Sequence, residues 1–391
     1  MQKNLDRALL WSACRHHVGE VILSHVFDDL HIEASKSPDV TIFTRFRKHF
    51  ELLHSVNSTQ DMNNAQLTRF DETAFSATAR SLIDRCRASV LELAQSELLL
   101  RRDDYLEFVQ LCVVFLSADE VATKKVTFKR PGALHKARWM AKLIYSIKIC
   151  LFQSQIQQLP AGTITTTQQV SKVRDFANFV TLVYSKWWMS CNSAVDASWN
   201  DLQLFHDLLR YDVIHPEVSR SAVRAFKNHL WYLTEEMVPL ALWSTKVSSA
   251  EHRALADRLL ALKPVTALIT PMNRFGTGFG KPKFPAQITL STTLADLVGA
   301  DSWLTFNILQ LDPQFLVDDV ESWTRSDAYQ SSLENLRAVN VVNDCAERGV
   351  KLSSDFLASA KCEGHYQNIL QVVEHDRKQN PNVRKRKTVS T

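Results

Sequence analysis

"LLWSACRHHVGEVIL" (residues 9–23) sets a cysteine and two histidines inside an apolar frame, and the architecture of the chain turns on what they do. Three roles are open to Cys14, His16 and His17: metal ligation, service to a catalytic centre, or packing. On a helix, Cys14 and His17 share a face and supply half of a tetrahedral zinc site. A second Cys-x-x-His, Cys362 with His365, makes four ligands, but it stands at the other end of the chain and no Cys-x-x-Cys accompanies either pair. Around the first motif Leu10, Ala13, His17 or Val18, Val21, Ile22, Val26 and Leu30 recur at three-to-four spacing, the pattern of a helix with one buried face. The expectation is an amphipathic helix within residues 5–30 and no bound metal.

The helical pattern continues on either side of most breaks. The chain has 391 residues, 45% of them hydrophobic and 23% charged, enough to bury a sizeable core in two or three lobes. Nine glycines and eleven prolines are too few to punctuate many short strands, so the expected class is mostly α. Helices are predicted in residues 40–56, 72–100 and 103–117, with polar connections such as "NSTQDMNNAQ" (57–66) between them. "RPGALHKARWMAKLIYSIKICLFQSQI" (130–156) opens at Pro131 and Gly132 and carries apolar groups at 134, 137, 140, 144, 147 and 151, a helix with a clear start. Residues 159–169 read as a linker, and 170–262 as long helices rich in aromatics, among them Trp187, Trp188, Trp199, Trp231, Tyr232 and Trp243. Residues 263–293 hold four of the prolines and three of the glycines, with one strand candidate at Val265 to Thr270; helix resumes from 294 to 375.

Charge and cysteine usage narrow the setting. The net charge is +4, and much of the excess sits in the tail run Arg384, Lys385, Arg386 and Lys387. That run, in a polar end expected to be disordered (376–391), fits a nuclear import signal or a phosphate-contacting arm ahead of a merely solubilising terminus. Seven scattered cysteines within apolar helical patterns fit reduced, buried thiols. No secretory signal is read at the N-terminus, and no apolar run approaches the roughly 20 residues that span a bilayer. No small-molecule substrate is evident.

Most chemical motifs fail their own tests. "FGTGFGKPK" (275–283) has Phe275 where a Walker loop needs glycine and Pro282 where it needs Ser or Thr, so a surface loop with a basic rim is the better account. Paired carboxylates such as Asp28/Asp29, Asp103/Asp104, Glu235/Glu236 and Asp318/Asp319 are ordinary solvated faces. Glu347 stands four residues before Lys351, a common surface pair on a helix. Arg138 and Trp139 either cover the core with an aliphatic stem and an aromatic ring, or contact nucleic acid by charge and stacking.

Three motifs in order, "ACRHH" (13–17), "KARWMAK" (136–142) and "NDCAERGVKL" (343–352), resemble the landmarks of hAT-superfamily transposases. The resemblance implies an RNase H-like catalytic domain interrupted by a helical insertion. It places Cys14 and His17 on the family's Cys-x-x-His, Arg138 and Trp139 on its Arg-Trp pair, and Glu347 with Arg348 on the "ER" that bears the catalytic glutamate. Trp323 resembles the tryptophan of the C-terminal dimerisation region. The domain organisation then implied is an RNase H-like remnant at 1–37, a helical insertion at 38–262, the Gly/Pro loop at 263–293, and a C-terminal segment at 294–375. The pattern departs from the family at Gly349 and Val350, where an aromatic and a serine are usual.

Catalysis of this type needs two divalent ions held by three carboxylates. The resemblance implies two aspartates before the Cys-x-x-His, yet Asp6 is the sole acid there and stands too close to Cys14. The expectation is therefore a partial RNase H-like α/β remnant joined to a helical bundle, catalytically incomplete, binding DNA or forming homo-oligomers, with no cofactor. Two alternatives stand beside it: a fragment of an active Mg²⁺- or Mn²⁺-dependent transposase completed by further N-terminal strands, and a helical protein-interaction scaffold.

Overall fold

A computed structural model describes residues 10, 12–32, 40–55, 67–73, 75–94, 103–116, 128–131, 134–160, 162–228, 231–262 and 288–342. The chain divides into two compact units, 1–342 and 343–391, and every described residue belongs to the first.

The expected class holds: the fold is mostly α, and no strand forms among the described residues. The strand candidate at 265–270 lies outside them. Thirteen α-helices are described: α1 Arg15–Asp29, α2 Thr41–Ser55, α3 Ala77–Ala94, α4 Asp103–Leu116, α5 Leu134–Leu151, α6 Gln153–Gln158, α7 Thr167–Phe179, α8 Ser185–Met189, α9 Ala197–Arg210, α10 Pro216–Lys227, α11 Ser249–Ala261, α12 Trp303–Leu309 and α13 Asp327–Arg337. Helix α3 packs on α4, α4 on α5, and α5 on both α2 and α7; α1 lies on α10, which in turn packs on α9.

Apolar spacing explains the long helices. In α5, Met140, Ile144, Ile147 and Leu151 are buried as their period requires. In α1 the buried stripe is Val18, Ile22, Leu23, Val26 and Phe27. The ambiguous place in that stripe goes to Val18, while the His17 side chain is 77% exposed. Gly19 is there because the helix runs against an aromatic wall: a Cβ would overlap the Trp187 ring and crowd the Tyr184 hydroxyl.

Two expected regions differ from the fold. The stretch 170–262 forms helices of 12–14 residues, as expected, but interrupted by a π turn, 3₁₀ turns and the five-residue α8. Helix α7 begins at Thr167, earlier than the predicted start, because Thr166 and Gln169 close a capping box: Gln169 N–H donates to Thr166 Oγ1 (3.3 Å) and Thr166 N–H to Gln169 Oε1 (3.1 Å). It then widens into a π turn over Val180–Tyr184, all five residues buried. There the Thr181 hydroxyl donates to Ala177 O (2.8 Å) and the Ser185 hydroxyl to Thr181 O (3.0 Å), back-bonds that compete with the helical ladder. The second difference is at 293–311, where 3₁₀ turns at Ala295–Leu297 and Ala300–Ser302 precede the short α12. Gly299 interrupts the pattern in an extended conformation, with the Glu235 carboxylate filling the space a side chain would need and accepting from Asp301 N–H (3.0 Å).

Candidate functional site

The opening motif is a keystone of the core. Cys14 stands at the N-cap of α1, half-buried, and His17 points outward with its Nδ1 3.9 Å from Glu20 Oε2. The buried members are the two residues between them: Arg15 is 1% exposed and His16 2%. The His16 ring stacks on Trp188, centroids 3.9 Å apart and planes within 10°. The Arg15 guanidinium donates to Cys191 O (2.9 Å) and to Asp201 Oδ1 (2.5 Å), and lies 5.7 Å from the ring centroids of both Trp187 and Tyr232. Asp201 is fully buried on α9 and also accepts from Trp187 Nε1 (3.2 Å) and Tyr232 N–H (3.0 Å). Burial works against the charge on Arg15, yet Asp201 overcomes it and raises the guanidinium pKa further. No sequence motif singles out Arg15 or Asp201; the only signal is a charged residue in line with Val18 and Ile22.

The remaining sequence candidates are not brought together. Arg138 and Trp139 belong to α5, and their side chains lie outside the described residues. Glu347, Cys362, His365 and the run Arg384, Lys385, Arg386 and Lys387 also lie outside them. Among the described residues, no three His, Cys, Asp or Glu side chains gather as a metal site would require. Trp323 has a role inside this chain. It is 2% exposed, donates its Nε1–H to Asp318 O (3.1 Å), and packs on Phe315 and His252.

A cleft of about 640 Å³ opens between α3, α8 and α9, and no motif points to it. Its floor is apolar, with Leu82, Leu93, Leu204 and the edge of Trp187; Arg85, Lys186, Arg210 and Lys246 line it against two carboxylates, Glu92 and Asp207. Lys186 Nζ lies 2.5 Å from Asp207 Oδ2 and 3.8 Å from Cys86 Sγ. Burial opposes the charge on Lys186, and Cys86 and Asp207 outweigh it, so its pKa is raised. Burial also lifts the Cys86 thiol to about 11, so it is protonated at neutral pH and Asp207 carries the effect. Arg210 shares Asp207 at 3.4 Å. Lys246 sits 3.5 Å from Asp196 and 5.7 Å from the centroid of the half-buried Trp199 ring. Arg85 is exposed at the rim. The cleft thus offers an aromatic ring, an apolar floor and an excess of positive charge. The signal in the sequence is Trp199 four residues before Gln203 and eight before Asp207 on one helix, with the cations supplied by distant segments. No helix among the described residues is long and apolar enough to cross a membrane. In comparisons with known proteins, no family model, curated protein or solved structure matches this chain.

Proposed function

We propose that this chain is a helical nucleic-acid-binding protein of transposase-like, RNase H-like descent. The ordered motifs at Cys14/His17, Arg138/Trp139 and Glu347/Arg348 support the descent. The observation that carries the binding reading is the cleft, where four cations face two carboxylates around a half-buried tryptophan. Phosphate contacts release counterions, so affinity falls with salt in proportion to the number of phosphates neutralised. Two to four contacts at this cleft give a slope of about −1.4 to −2.8 in log affinity against log salt on single-stranded DNA. Fluorescence anisotropy of labelled duplex and single-stranded DNA across a salt series measures it. Absence of binding to either form at low salt removes the proposal. The basic run at Arg384 to Lys387 extends the reading to nuclear import, which a fluorescent fusion with and without that run tests.

A further inference from the structure

We infer that the cleft between α3, α8 and α9 takes an unpaired nucleotide, its base against Trp199 and its phosphate among Arg85, Lys246 and Arg210. The inference rests on the nucleic-acid reading and narrows it to one conformation of the ligand. Size is the first argument. About 640 Å³ lies within the roughly 300–1,000 Å³ of pockets that enclose small ligands, far too little for a double helix, whose base faces are in any case covered by their neighbours. Chemistry is the second. A tryptophan ring, an apolar floor and an ammonium over the ring, held there by Asp196, form a stacking platform with positive charge beside it once a phosphate draws the ammonium aside, the combination by which single strands are held without duplex readout. Trp199 and Lys246 already form that pair, with the ammonium 5.7 Å from the ring centroid. An arriving phosphate competes with Asp196 for Lys246 and draws the ammonium toward the rim. Ser89 and Ser190 donate their hydroxyls to Arg85 O and Lys186 O, and the Asn200 amide donates to Ser190 O, so of the polar residues lining this space Gln203 supplies the donor and acceptor to a base edge.

The test uses the full chain and a fluorescein-labelled 12-nucleotide strand, free or annealed to its complement, read by anisotropy at low salt. The single strand is expected to bind at least tenfold more tightly than the duplex. Trp199→Ala weakens the single strand by about 5- to 100-fold, the range of one lost stacking contact, and leaves the duplex unchanged; Trp199→Phe restores most of it. Arg85→Glu, at an exposed position that the fold does not need, weakens the strand while the thermal melting profile is kept. Adenosine monophosphate as competitor separates the two sources of an unpaired nucleotide. Displacement only at millimolar concentrations assigns a nucleotide within a strand, and displacement at micromolar concentrations assigns a free one. Equal binding of duplex and strand, or a Trp199→Ala variant that is folded and binds the strand as before, overturns the inference and leaves the nucleic-acid reading standing. No binding of any nucleic acid overturns both, and a glutamate-rich peptide that displaces the strand at equal concentration assigns the cleft to an acidic protein instead.

Discussion

Arg15 and Asp201 form a buried ion pair whose worth is conditional. Two charges removed from water recover their hydration only through each other and through further hydrogen bonds, here from Arg15 to Cys191 O and to Asp201 from Trp187 Nε1 and Tyr232 N–H. Removing one partner leaves the other stranded, at a cost of about 3–5 kcal/mol. Asp201→Ala is therefore expected to lower unfolding stability by that amount in urea titrations, and Arg15→Met by less, since Asp201 keeps two neutral donors. Equal losses in the two variants count against the argument. The sequence shows half of this arrangement. Arg15 in the Val18 and Ile22 stripe is visible as a charge in an apolar line; its partner is 186 residues away, and periodicity carries no information across that distance.

Helix ends are where local sequence and structure agree best. Thr166 with Gln169 and Ser248 with Glu251 are Ser/Thr-x-x-Gln/Glu patterns, and both close as capping boxes at the starts of α7 and α11. Helix α10 begins differently, with Pro216 in its first turn and His215 as the cap, accepting from Val218 N–H at 3.3 Å. The other imidazole nitrogen lies 3.6 Å from Asp175 Oδ2 on α7. The hydrogen bond to Asp175 raises the His215 pKa above its ordinary 6.5, against partial burial. A raised histidine stabilises the ion pair fully below 6.5, offset by the cap that protonated Nδ1 can no longer accept from Val218 N–H, and the ion-pair contribution is lost as the pH climbs through the folded value. Asp175→Asn is expected to cost about 0.5–1 kcal/mol at pH 5.5 and much less at pH 9. Urea midpoints at the two pH values check it, and a cost that grows with pH contradicts the sign. The π turn at Val180–Tyr184 was not legible, because its cause is hydroxyls turned inward on a helix buried on every side.

Across the whole unit, composition predicted the class and the apolar stripes predicted much of the core, whereas the cleft was hidden because its cations come from α3, α8, α9 and the loop at Lys246. Burial also sets thiol chemistry. Cys86 is held at about 11 and Cys150 at about 12 by desolvation, and Cys112 is raised further. In a Cys345→Ser/Cys362→Ser background, a thiol-specific reagent at pH 8 is expected to label Cys14 first. Cys86, Cys112, Cys150 and Cys191, all buried, react on the timescale of unfolding. Peptide mapping of the labelled protein checks the order, and early labelling of Cys112 contradicts it.

Arg15 N–H donates to Val341 O at 3.0 Å, and its guanidinium waits on Asp201. On the ribosome α1 emerges before the other described helices, and at about 5–20 residues per second Val341 follows on the order of tens of seconds later. Until Asp201, 186 residues on, has followed, an unneutralised cation sits on the apolar stripe of the nascent helix. Closure of the unit therefore awaits its far edge, where Val341 O meets Arg15 N–H.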